Sequence, residues 1–81
     1  MTAKERRGIP LPYLRAWREW RGITQDELKD LSGVTVATIS HIENGAPARL
    51  DTIRRLAEAL RIEREELMRK QPAGRGALAM A

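Results

Sequence analysis

The sequence predicts an all-α domain of five helices, and three observations carry that prediction. No stretch alternates apolar with polar residues as a half-buried strand does. Phe is absent, and Tyr13, Trp17 and Trp20 are the only aromatics, so a sheet has little of its usual material. The chain is punctuated instead by helix caps and helix stops, with one clear helical stripe near its C-terminal end.

The elements follow in order. Gly8, Pro10 and Pro12 mark an irregular arm, and Pro12, with its fixed φ, suits the first turn of a helix running to Arg21 and stopped by Gly22. Leu14 and Trp17 form its inner face, with Tyr13 and Trp20 beside them. Trp17 is expected in the core and Trp20 against the fifth helix. Thr24-Gln25-Asp26-Glu27 is a capping box, in which hydroxyl and carboxylate satisfy the orphan amides of a second helix. Ile23 before that cap and Leu28 after it are placed as a hydrophobic staple, and Ser32-Gly33 ends the helix early. Thr35 caps a third helix through Glu43, with Ile39 and Ile42 inward and Asn44-Gly45 as its stop. After an Ala46-Pro47-Ala48 loop, Leu50, Ile53, Leu56, Ala57 and Leu60 form the inner stripe of a fourth helix. Arg54, Arg55, Glu58 and Arg61 form its solvated side. Ile62, Leu67 and Met68 anchor a short fifth helix ended by Pro72. The division is a flexible basic arm at 1–10, a folded unit at 11–70 and a disordered tail at 71–81.

Composition narrows the function. The chain has 81 residues, and a core of about 60 residues buries only about 60% of its unfolded surface, so a deep enclosed active site is hard to build. There is no Cys and a single His, which removes disulfides, thiol nucleophiles and clustered zinc ligands. No Ser-His-Asp arrangement, carboxylate dyad or Gly-rich phosphate loop is present, so no enzyme, cofactor or metal is expected. Residues 1–8 are charged and lack an apolar signal region, and no apolar run nears the ~18 residues of a membrane span, so the expected location is the cytoplasm. Arg outnumbers Lys twelve to three, and the planar guanidinium fork suits phosphate. Residues 1–22 and 45–70 are basic, whereas 23–44 are acidic, so the basic surface lies at both ends.

Two short helices joined by a Gly-containing turn, the second capped by Thr and rich in small polar residues, meet the mechanical needs of a helix-turn-helix. Gly33 permits the left-handed turn. Leu28, Val34, Ile39 and Ile42 lock the angle, which leaves Val36, Ala37, Ser40 and His41 on the free face. Val and Ala there can pack on thymine methyls, and Ser and His can hydrogen-bond base edges in the major groove. Arg49 and Arg54, at the start of the fourth helix, and Arg6 and Arg7 of the arm are candidates for phosphate contact.

The segments Gly22-Ile23-Thr24-Gln25-Asp26-Glu27-Leu28, Ser32-Gly33-Val34-Thr35, Thr38-Ile39-Ser40, Ile42-Glu43-Asn44-Gly45 and Leu50-Asp51-Thr52-Ile53 resemble the phage repressor and Cro-like helix-turn-helix family, the XRE family. The resemblance covers roughly residues 11–69. It implies a five-helix repressor-like DNA-binding domain acting on double-stranded DNA as a homodimer, most often to repress transcription. By position it implies a phosphate contact for Gln25, base reading by Val36, Ala37 and His41, and backbone approach at Thr35, Thr38 and Asn44. It also implies a structural salt bridge between Arg18 and Glu43. Two departures stand out: Lys29 replaces a small residue packed between the helices, so either the helix angle differs or its stem snorkels outward, and residues 35–45 contain no Lys or Arg. The acidic middle segment favours the alternative, an antitoxin-like or other protein-interaction module that keeps the fold and binds a protein partner.

Overall fold

A computed structural model of the chain describes residues 8–72. It places β1 (Ile9–Pro10), α1 (Leu14–Trp20), α2 (Gln25–Ser32), α3 (Val36–Glu43), β2 (Pro47–Ala48), α4 (Leu50–Leu60) and α5 (Arg64–Arg69) in that order. The five helices form an all-α fold, to which β1 and β2 add one small antiparallel pair.

Local chemistry accounts for the central helices. At α2 the Glu27 amide donates to Thr24 Oγ1 at 3.1 Å while the Thr24 amide donates to Glu27 Oε1 at 2.8 Å, so the capping box is complete. Gly33 closes the helix at φ 78, a conformation that costs an L side chain roughly 1–2 kcal/mol. Ser32 ties the turn: its hydroxyl donates to the Leu28 carbonyl at 2.7 Å and accepts from the Val34 amide at 3.1 Å. Thr35 Oγ1 then accepts from the Thr38 amide at 3.2 Å to start α3.

The core is one cluster. Leu11, Leu14 and Trp17 meet Leu28 and Val34, Ile39 and Ile42, then Ile53, Leu56, Ala57 and Leu60 of α4 and Leu67 of α5. Every residue of this cluster is apolar. This cluster fixes α3 from its inner side through Ile39 and Ile42, which leaves the opposite side of the helix to solvent.

Four details differ from the sequence expectation. First, α1 begins at Leu14, not at Pro12; Leu11 precedes a proline, which disfavours helical backbone there, and the chain makes a turn closed by the Leu14 amide on the Leu11 carbonyl at 3.2 Å. Leu11 itself is fully buried. Second, Ile9 and Pro10 of the arm pair with Ala48 and Pro47 of the expected loop. Two residues are too few to show alternation. The pairing needs Gly8, because a Cβ there would sit 2.5 Å from the Ala48 carbonyl oxygen. Third, Leu50 is 54% exposed, since it opens α4 and only the following turns of the stripe face the core. Fourth, α5 stops at Arg69 with Lys70 extended, ahead of Pro72. The Trp17 indole N–H donates to the Lys70 carbonyl at 2.7 Å and so takes up an acceptor that another helical turn would have used; the Glu66 carbonyl, which already accepts the Lys70 amide, lies 3.3 Å from the same indole nitrogen. The tail at 73–81 and the arm residues Arg6 and Arg7 lie outside the described residues.

Two further caps close the structure. Glu66 reaches back to the Glu63 amide at 3.0 Å to start α5. Arg61 ends α4 with φ 59, and Arg21 Nε and Nη2 donate to the Leu60 and Arg61 carbonyls at 2.6 and 3.1 Å. The same guanidinium lies 4.7 Å from the centroid of the Trp20 ring. Trp20 is half-buried, edge-on to Trp17 at 5.5 Å, in a groove that Ile62, Glu66 and Lys70 also line.

Candidate nucleic-acid interface

The outer side of α3 collects the residues that the sequence singles out. Val36 and Ser40 are half-buried and one turn apart; Ala37 and His41 are exposed and likewise one turn apart. The four therefore share one face. Apart from His41 that face carries no ionisable side chain, so any base contact from it rests on methyl groups, a hydroxyl and an imidazole. Thr35 and Thr38 are exposed at the start of the helix, their hydroxyls 2.9 Å apart. At its end Asn44 Nδ2 donates to the Ser40 carbonyl at 2.8 Å, which occupies part of the amide in capping the helix.

The residues expected at the phosphates differ in how free their side chains are. Arg49 caps α4 by its backbone alone, and its exposed guanidinium makes no capping bond; Arg54 is exposed one turn into that helix. Gln25, the first residue of α2, is half-buried, and its Nε2 donates to Glu43 Oε1 at 3.1 Å. Lys29 stays outside the helix pair, with Nζ 3.8 Å from Asp30, so its stem does not separate α2 from α3.

Arg18 and Glu43 form the pair expected of them. Arg18 Nε donates to Glu43 Oε2 at 2.6 Å and Nη2 to Oε1 at 3.2 Å, with the two side chains only 12% and 6% exposed. The hydrogen bond to Glu43 holds the Arg18 pKa above its ordinary value, outweighing the opposite effect of burial. Nη1 also donates to the Ile23 carbonyl at 2.9 Å, which fixes the α1–α2 turn. Sequence reasoning missed this last bond, the Gln25 contact and the Arg21 cap. The Gln25 contact had a weak signal, since Gln25 and Glu43 sit at the ends of adjoining helices; the other two had none.

The two braced helices, the glycine turn and the free outer face define a helix-turn-helix domain. The chain matches the Helix-turn-helix family over residues 14–67 and belongs to it, a family of DNA-binding transcription regulators, in agreement with the XRE-type motifs above. It is similar to the HTH-type transcriptional repressor RghR of Bacillus subtilis (strain 168), at 52% identity over 62 residues covering 70% of this chain. The chain spans 44% of that relative's length. No solved structure matches it. Among the described residues no helix is long and apolar enough to cross a membrane, and no group of His, Asp and Glu is arranged to hold a metal ion.

Proposed function

We propose that this chain is a cytoplasmic, sequence-specific transcriptional repressor that inserts α3 into the major groove of double-stranded DNA. The observation that carries the reading is the division of α3 itself: Ile39 and Ile42 are buried in the core, whereas Ala37 and His41 stand free on a helix fixed by caps at both ends. Val36, Ala37, Ser40 and His41 read bases. Gln25, Thr35, Thr38, Asn44, Arg49 and Arg54, with Arg6 and Arg7 from the arm, hold the phosphates and set register.

A single short helix reads too few base pairs for strong selectivity, so the protein acts as a homodimer on a two-fold site with its recognition helices about 34 Å apart. Exposed Leu50 beside half-buried Met68, with Glu63, Arg64 and Glu65 around them, supports a self-complementary contact in which acid and base exchange across the axis.

Selection of bound sites from random DNA, followed by titration against salt, tests the reading. The expected result is a two-fold symmetric sequence whose log affinity falls with log salt at a slope of about −0.9 per phosphate neutralised. Failure to enrich any sequence, with binding indifferent to salt, counts against it.

One feature favours a second reading. Leu31 is 62% exposed on α2, one turn after the exposed carboxylate of Glu27. An antitoxin-like module would use that apolar and acidic surface for a protein partner. DNA enrichment that survives Leu31→Lys removes the need for it.

A further inference from the structure

The Arg18–Glu43 pair has one partner more than a brace between two helices requires. An ionised carboxylate only accepts hydrogen bonds. Glu43 accepts three from side chains: Arg18 Nε on Oε2, then Arg18 Nη2 and Gln25 Nε2 together on Oε1, at 2.6, 3.2 and 3.1 Å. A Gln head group carries donors on one side and an acceptor on the other, and its two flips are otherwise close in shape. Beside a carboxylate edge the acceptor side is repelled. Gln25 is thus held in one flip, with one Nε2 hydrogen on Glu43 and the other left over.

The backbone of the same residue is held as well. Arg18 Nη1 donates to the Ile23 carbonyl two residues earlier, and the Thr24 capping box fixes the start of α2. One guanidinium on α1 therefore controls the approach of Gln25 from both sides: through the turn for its main chain, and through Glu43 for its amide.

We propose that Glu43 is a positioning residue for DNA binding, which, held by Arg18, orients the Gln25 amide so that its second Nε2 hydrogen is presented to a phosphate. The inference rests on the reading of Gln25 as a phosphate contact. It makes a pair that looks purely structural part of the binding surface, since a glutamine fixed beforehand gives up less side-chain freedom when DNA arrives.

A double-mutant cycle on DNA affinity tests it, with Gln25→Ala made both in the unaltered protein and in Glu43→Gln, whose neutral amide tolerates either flip of Gln25. Melting curves of every variant are recorded so that affinities are compared on folded protein. The expected result is a loss of about tenfold from Gln25→Ala in the unaltered protein, as for a hydrogen bond to a charged group, and of less than about twofold in Glu43→Gln. Equal losses in the two backgrounds would overturn the positioning role while leaving the phosphate contact intact. No loss in either background would overturn the phosphate contact and the inference with it. Should Glu43→Gln not fold, the side-chain amide resonances of Gln25 in the unaltered protein decide: one proton protected from exchange supports the inference, and two equivalent, rapidly exchanging protons overturn it.

Discussion

The turn from α2 to α3 and the seam where α1 meets the ends of α4 and α5 are held by different kinds of bond. In the turn and its caps the polar ties are short in sequence, Thr24 with Glu27, Ser32 with Leu28 and Val34, Thr35 with Thr38, apart from Gln25 on Glu43, 18 residues away. At the seam the ties are long. Trp17 donates to carbonyls 49 and 53 residues away, and Arg21 to carbonyls 39 and 40 residues away. The turn is thus shaped locally and needs the core only to be held in place, whereas the seam exists only once the whole chain has folded. Arg18 and Glu43, 25 residues apart, join the two regions.

That contrast is broken most severely at Trp17, which is 6% exposed and combines core packing with the indole bonds to α5. Trp17→Ala is expected to cost about 3–5 kcal/mol, enough to unfold much of a domain this small. Trp17→Phe keeps most of the packing and removes the N–H, so it isolates the bond to the end of α5 at about 1 kcal/mol. Thermal and urea unfolding of the two variants check this. Equal stability of Trp17→Phe and the unaltered protein would mean that the indole bond adds nothing to the seam beyond apolar contact and the Arg21 bonds.

Next in size is the link between the regions. Glu43→Ala leaves the nearly enclosed guanidinium of Arg18 without its partner, at an expected cost of about 3 kcal/mol. The same unfolding measurements apply, and a melting temperature unchanged within error would show that the turn is held to α1 by the core alone.

The contrast also explains what was legible in the sequence. Caps and glycine stops act within four residues, so Thr24, Gly33 and Thr35 declared α2 and α3 directly, and the face at 36, 37, 40 and 41 followed from helical spacing. Arg21 looked like an ordinary helix-end arginine, because its acceptors on Leu60 and Arg61 come from a helix end that sequence spacing does not bring near. The β1–β2 pair was hidden for the same reason. Gly8 and Ala48 meet at close range only in three dimensions, and two prolines in four strand residues read as loop. Leu50 fitted the apolar period of α4 but begins the helix before it reaches cover, so periodicity alone overcounted the core.

The smallest expected effect on stability belongs to the outer face of α3, and it separates reading from holding. His41 is exposed, makes no hydrogen bond from its side chain among the described residues, and lies one turn from Ala37 on the same face. His41→Ala should therefore change stability by less than about 0.5 kcal/mol, as for a surface site without caps or buried partners. If the imidazole reads a base edge, the same substitution relaxes the preference at one base pair of each half-site and costs about 1–3 kcal/mol on the preferred sequence. Gln25→Ala, by contrast, should weaken all sequences about equally, because phosphates carry no sequence information. Parallel site selection with the two variants distinguishes them: His41→Ala should alter the recovered sequence and Gln25→Ala should not. An unaltered sequence and affinity for His41→Ala would move base reading to Val36, Ala37 and Ser40, and a melting temperature that drops by several degrees would place His41 with the residues that hold the turn.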